Sequence, residues 1–103
     1  MPSNNPSSTS VCVIVVARAR DGLRQDVLAA FKRSKSLMEQ TGGCLKFDVH
    51  YGMDDPKTVM IHEIWQSMEQ HRKVFSHMTG SAAFSEFRKL LESDLELAYF
   101  HEA

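Results

Sequence analysis

The sequence is poor in features that would place it in a specialised class of protein. Its 103 residues include two cysteines, which form no disulfide framework, and no CxxC or Cys/His cluster typical of zinc sites. The longest apolar run, residues 11–17, is far shorter than the ~20 residues that span a bilayer. The 12 Lys and Arg are interspersed with 13 Asp and Glu, so no basic stripe follows a phosphate backbone. These absences argue against membrane-spanning, disulfide-stapled and nucleic-acid-binding proteins.

The remaining composition is that of an ordinary globular domain. Hydrophobic residues make up 43% of the chain and charged residues 24%. Residues 1–10 are polar and carry no positive charge or signal-type cleavage site, so we predict a disordered tail rather than a targeting peptide. We expect a cytoplasmic protein with one domain over residues 11–103. A domain of this size has a thin core, which oligomerisation would supplement.

Hydrophobic periodicity predicts seven elements. Strands are expected at residues 11–20, Cys44–Tyr51, Thr58–Trp65 and 95–101, and helices at residues 23–41, 67–77 and 81–93. Gly42 and Gly43 end the first helix, and Pro56 lies in the turn between the second and third strands. The order β-α-β-β-α-α-β predicts an α+β, ferredoxin-like fold with a four-stranded antiparallel sheet.

Alternation within the hairpin assigns side chains to faces. In the second strand, one face is predicted to carry Leu45, Phe47, Val49 and Tyr51. In the third strand, Met60, His62 and Ile64 lie on the side away from Trp65. That face is too apolar to remain in water, and a second copy of the same sheet would cover it. The pattern therefore predicts a homodimer.

Three segments resemble one known family. Residues 42–50 (GGCLKFDVH) resemble its second strand; Asp54-Asp55-Pro56, followed by Glu63 and Trp65, resembles its hairpin; and VIVVARARDG resembles its first strand. Together they extend over roughly residues 11–100 and match the antibiotic biosynthesis monooxygenase (ABM) family in order and spacing. The resemblance implies a dimeric α+β barrel with a pocket between sheet and helices in each subunit. Known activities in the family include cofactor-free oxygenation of polycyclic phenols, quinol oxidation, haem cleavage and isomerisation.

Glu63 and Trp65 are the first candidate catalytic residues, since alternation places them on the same inward face as Ile61. A carboxylate facing an apolar pocket is a candidate proton acceptor, and the alternative is a structural partner for helix polar groups. Trp65 either closes the core or, as its family counterpart does, walls the pocket against a flat substrate.

The third candidate catalytic residue is a histidine chosen by resemblance. His77 and Phe84 resemble a His and Phe that follow the family's tryptophan, although the spacing is longer by about three residues, and His71 is a competing match. Phe47, Ile61 and Phe84 are the expected substrate-binding residues.

Other polar candidates are interpreted as structural. The five histidines form no compact ligand set, so we expect no metal; His62 is expected in the dimer interface and His50 at the surface. Both cysteines are interpreted as packed hydrophobes, with a nucleophilic Cys44 as the alternative.

The predicted function is cofactor-independent monooxygenation of a small aromatic or quinol-type molecule, with no dinucleotide motif in the chain. Two departures weaken a direct copy of known members: Val15 and Ile61 stand where haem-degrading and polyketide-tailoring members, respectively, have asparagine. The alternatives are a non-catalytic ligand-binding or stress-response module, and a non-redox isomerase.

Overall fold

The computed structural model describes residues 10–103, and within that range the chain forms four strands and three helices. In chain order they are β1 (Val11–Arg18), α1 (Arg24–Glu39), β2 (Cys44–Tyr51), β3 (Thr58–Trp65), α2 (Met68–Thr79), α3 (Ala82–Arg88) and β4 (Glu96–Phe100). The predicted α+β order is confirmed. Apart from Ser10, the tail predicted for residues 1–10 lies outside the described residues.

The four strands form one antiparallel sheet in the order β2-β3-β1-β4. In the central pair, Val13 lies opposite Glu63 and Val15 lies opposite Ile61. Because successive side chains of a strand point to opposite faces, every second residue of β1 and β3 is buried, and Trp65 is the last of that set in β3. The predicted common face of Ile61, Glu63 and Trp65 is confirmed.

An irregularity in β2 changes the predicted faces of that strand. The register shifts between Cys44 and Lys46, so Cys44 and Phe47 are both buried although they are three positions apart in the strand. Leu45 is the extra residue of this bulge and has no partner in the register of β3. It was expected on the same face as Phe47, but it is 49% exposed. The same bulge places Phe47 opposite Glu63.

The helices cover the inward face of the sheet. Val27, Leu28 and Phe31 of α1 are buried in the core with the inward residues of the sheet. The two later helices begin at serines whose hydroxyls accept a backbone N–H three residues on: Ser67 from Gln70 at 3.2 Å and Ser81 from Phe84 at 3.1 Å. These caps fix where α2 and α3 start above the sheet.

The third helix is shorter than the predicted range of 81–93. It ends at Arg88 because the following segment pairs with the end of β1: the amide of Arg20 donates to the carbonyl of Leu90, and Glu92 donates to Arg18, both at 2.9 Å. The same pairing ends the regular part of β1 at Arg18 rather than at residue 20.

The carboxylate of Asp55 holds the turn between β2 and β3 together. It accepts from the Lys57 amide at 3.1 Å, from the Thr58 hydroxyl at 3.0 Å and from Arg18 Nη1 at 2.7 Å. These bonds hold the pKa of Asp55 below its ordinary value, the Lys57 amide contributing most. Asp55 therefore ties the hairpin turn to the end of β1. Among the described residues, no helix is both long and apolar enough to span a membrane.

Candidate functional site

A cavity of about 910 Å³ lies between the inward face of the sheet and the helices. The sheet contributes Val15, Phe47, Ile61, Glu63 and Trp65. The helices contribute mainly apolar side chains, among them a series of three rings in contact, with centroids 5.2 and 5.9 Å apart: Phe31, Phe87 and Phe84. Ligand pockets for small organic molecules have this size and this largely apolar lining with a few polar groups.

Glu63 is the acidic group at the sheet side of the cavity. It is 4% exposed, and its Oε1 accepts a hydrogen bond from the indole Nε1 of Trp65 at 2.6 Å. Burial raises the pKa of Glu63 to about 7, and the indole N–H opposes that rise because it stabilises the ionised form. A carboxylate with such a pKa exchanges a proton readily at neutral pH.

His71 lies beside Glu63 and comes from the first turn of α2. Its ring is 2% exposed, meets the Trp65 ring edge-on at 5.3 Å and stacks on Phe75 at 5.5 Å. Its Nδ1 is 3.1 Å from the hydroxyl of Tyr99 on β4. Burial, and to a smaller extent the charge of Arg72, lowers the pKa of His71 to about 4, so the imidazole is neutral at pH 7.

The contact between Glu63 and His71 is not an ion pair. Oε1 of Glu63 and Nε2 of His71 are 3.8 Å apart, which is longer than a hydrogen bond. The imidazole is also neutral over the pH range in which Glu63 is ionised. A ligand oxygen about 2.8 Å from each atom would bridge them with ordinary hydrogen-bond lengths. With the proton of His71 on Nε2, Glu63 can accept a proton from a ligand hydroxyl while His71 donates a hydrogen bond to the same oxygen.

The predicted site residues all line this cavity and differ in how deeply they are buried. Glu63 and Trp65 lie at its buried end, with Phe47 and Ile61 beside them, both 3% exposed. Phe84 is half-buried in the wall. Their proposed roles in catalysis and substrate binding stay predictions.

His77 borders the cavity but is exposed, whereas His71 is buried against Glu63. His77 was favoured because His77 and Phe84 resemble the family's His and Phe, although the spacing from Trp65 is longer by about three residues. Helical periodicity contains the better signal, because His71, Val74, Phe75 and Met78 follow the i, i+3, i+4, i+7 spacing of one face. His71 is thus the histidine that the structure brings to Glu63.

Tyr99 was missed altogether by sequence reasoning. It lies opposite Val13 in the β1–β4 pair and shares the inward face with Leu97. The alternation of Leu95, Leu97 and Tyr99 was a usable signal, but the pairing of β4 with β1 was needed to place the hydroxyl near α2.

The cysteines lie outside this group of polar residues. Cys44 is buried, which raises the pKa of its thiol to about 11 and leaves it protonated at neutral pH. Cys12 is half-buried on the opposite face of the sheet, where its Sγ is 3.1 Å from His62 Nε2. Within residues 10–103, no three His, Cys, Asp or Glu side chains gather as a metal-binding group.

The outward face of the sheet is apolar and half-exposed. Its central positions are Cys12, Ile14 and Val16 on β1 and Met60, His62 and Ile64 on β3. Phe100 continues this face on β4 and is 52% exposed. As the alternation of β3 predicted, His62 lies on the face opposite Trp65.

The fold agrees with what comparison of the sequence finds. The model of the family described as antibiotic biosynthesis monooxygenase matches residues 10–90. The chain therefore belongs to the antibiotic biosynthesis monooxygenase family. No curated protein matches the sequence.

Solved structures similar to this chain include several from the same family. A candidate antibiotic biosynthesis monooxygenase of Chloroflexus aurantiacus is 27% identical with a TM-score of 0.75, covering 92% of this chain and 94% of that one. A candidate antibiotic biosynthesis monooxygenase of Bordetella bronchiseptica is 19% identical with a TM-score of 0.74, covering 92% and 98%. A Pseudomonas aeruginosa protein is 16% identical with a TM-score of 0.75, covering 94% and 97%. The last two similarities show the shared fold alone.

Proposed function

We propose that this protein is a cofactor-independent monooxygenase that oxidises an electron-rich phenol, anthrone or quinol in the cavity between sheet and helices. The observation that supports this most directly is the buried carboxylate of Glu63, held by Trp65 at 2.6 Å and facing an apolar cavity. Its pKa of about 7 suits a general base that works near neutral pH.

In the proposed reaction, Glu63 removes a proton from the bound substrate, and the substrate anion is the reductant. For an anthrone, with a CH2 group between two rings, the carbanion transfers electrons to O2 and a C–O bond forms, giving a hydroperoxide after protonation. Loss of water then breaks the O–O bond and leaves a carbonyl, so one oxygen atom enters the product and the other leaves as water. The protein supplies a base, a hydrogen-bond donor and a cavity that keeps bulk water from the anion.

The neutral ring of His71 complements Glu63 in this reaction. When its Nε2 carries the proton, that N–H stabilises the negative charge that develops on the substrate oxygen. A neutral imidazole is the suitable donor here, because a cationic one would form an ion pair with Glu63 and reduce its basicity.

The aromatic lining supports a flat substrate. Phe31, Phe84 and Phe87 provide ring faces and edges along the helical wall, and Trp65 lies next to Glu63. Such surfaces favour stacked or edge-on contacts with another aromatic ring. These residues, with Phe47 and Ile61, would orient the substrate so that its oxygen meets Glu63.

We further propose that the protein works as a homodimer formed through the outward face of the sheet. Ile14, Val16, Met60 and Ile64 give that face an apolar centre that a monomer would leave partly in water. A second copy related by a two-fold axis presents the same apolar surface and covers both. His62 would then lie in the interface.

The proposed activity is tested by oxygen uptake. Purified protein, without added flavin or metal, is supplied with a panel of anthrones, naphthols and hydroquinones, and O2 consumption is compared with that of buffer alone. Consumption above the spontaneous rate, with a quinone product containing one atom of labelled oxygen, supports the proposal. Tight binding of the same compounds with no uptake would instead favour a non-catalytic binding module.

A further inference from the structure

The imidazole of His71 is held from two strands at once. Tyr99 of β4 places its hydroxyl 3.1 Å from Nδ1, and Glu63 of β3 places Oε1 3.8 Å from Nε2. The ring planes of Trp65 and Phe75 restrict its rotation, at 75° and 19° to the imidazole. The ring is therefore held in one orientation.

The surroundings select the tautomer with the proton on Nε2. An ionised Glu63 is an acceptor only, so a proton on Nε2 is attracted to Oε1 and a lone pair there is repelled. The tyrosine hydroxyl can donate as well as accept, and it therefore satisfies Nδ1 by donating to it. The guanidinium of Arg72, 5.5 Å from the centre of the Tyr99 ring, helps to keep that ring in place.

We infer that Tyr99 is a positioning residue: by donating to His71 Nδ1 it keeps the Nε2–H of His71 directed at the oxygen of the bound substrate. This inference rests on the proposed function, in which that N–H stabilises the substrate anion. Tyr99 touches neither the substrate oxygen nor Glu63 in this arrangement and acts through His71. The substrate group that fits is a hydroxyl or its enol equivalent, since it must donate to Glu63 and accept from His71.

Nitrogen NMR of the free, uniformly labelled protein tests the inference without any substrate. At roughly pH 8.5, above the pKa of Glu63, we expect Nδ1 of His71 to have a pyridine-like shift reduced by an accepted hydrogen bond, and Nε2 to be pyrrole-like. In Tyr99→Phe, which keeps the ring and removes one oxygen, Nδ1 should move to the value of a nitrogen without a hydrogen bond. Tyr51→Phe is the matched control, because Tyr51 is 58% exposed and lies on β2. It should leave the His71 resonances unchanged.

Turnover provides a second readout. With an active substrate, Tyr99→Phe should lower kcat by roughly five- to tenfold while KM changes less than twofold, because the lost hydrogen bond orients a group needed for the anion. A purely structural role would change stability and leave kcat of the folded fraction intact.

The possible results separate the inference from the proposed function. A wild-type His71 protonated on Nδ1, or an Nδ1 shift that is the same in Tyr99→Phe, overturns the inference whatever the activity. The expected NMR result together with no turnover of any substrate supports the Tyr99–His71 bond and contradicts the monooxygenase proposal instead.

Discussion

Oε1 of Glu63 and Nε2 of His71 lie 3.8 Å apart, too far for a hydrogen bond to each other and close enough to share one ligand oxygen. They reach this position from different elements, since Glu63 lies near the end of β3 and His71 lies in the first turn of α2. The arrangement also has consequences for stability, for the pKa of Glu63 and for catalysis.

The first consequence is that Glu63 and His71 oppose each other in the pH dependence of stability. The pKa of Glu63 is raised from 4.5 to about 7, so its contribution is present below 4.5 and is lost as pH rises through 7. The pKa of His71 is lowered from 6.5 to about 4, so its contribution is present above 6.5 and is lost as pH falls through 4. Where these windows overlap, from pH 4.5 to 6.5, the folded and unfolded states each hold one proton on the pair, and the two slopes cancel.

We therefore predict opposite changes in two variants. Relative to wild type, the free energy of unfolding of Glu63→Gln should increase from pH 4 to 6.5, because His71 alone titrates, by up to about 3 kcal/mol. That of His71→Phe should decrease from pH 4.5 to 7 by a similar amount. Urea unfolding at a series of pH values measures both. Parallel curves for the three proteins would show that the pair does not titrate as described.

The second prediction concerns the indole of Trp65. Its N–H donates to Glu63 Oε1 at 2.6 Å and stabilises the ionised carboxylate. Trp65→Phe removes that donor, and since hydrogen bonds to charged groups contribute about 1.5–3 kcal/mol, the pKa of Glu63 should rise by at least about one pH unit. Carbon NMR titration of the Glu63 carboxyl measures the change directly. An unchanged or lowered pKa would mean that the indole does not stabilise the carboxylate.

The third prediction tests the proposed homodimer. Light scattering after size exclusion should give about twice the chain mass of 11.7 kDa. Ile64→Lys places a charge on the outward face of the sheet and should dissociate the dimer, since a buried unpaired charge is costly. The matched control is Met53→Lys, because Met53 is 95% exposed in the hairpin turn. A wild-type monomer at micromolar concentration, or an Ile64→Lys variant that remains dimeric, would contradict the proposed interface.

Sequence periodicity predicted the part of the site that depends on a single strand. The alternation of β3 placed Ile61, Glu63 and Trp65 together, and it is a local property with a period of two. The bulge at Leu45 was not predictable in the same way, because it is a property of the pairing of β2 with β3. The alternation of apolar residues within β2 alone does not show it.

Relations between elements required the fold. The choice between His71 and His77 depended on how α2 is rotated over the sheet, and the resemblance to the family's His–Phe pair favoured the exposed His77. Tyr99 is 28 residues from His71, and only the antiparallel pairing of β4 with β1 brings them together. The protonation states of Glu63 and His71 likewise follow from burial, which composition does not give.

The central claim is that Glu63 is the base of an oxygen-consuming reaction, and oxygen uptake by Glu63→Gln tests it most directly. The substitution keeps the size of the side chain and an oxygen that accepts from Trp65, and it removes the ability to take a proton. Glu69→Gln is the matched control, since Glu69 is exposed in the first turn of α2. With a substrate that wild type oxidises, we predict that Glu63→Gln is slower by roughly 10²–10⁴-fold and that Glu69→Gln is unchanged. Full turnover by a folded Glu63→Gln variant would contradict the account.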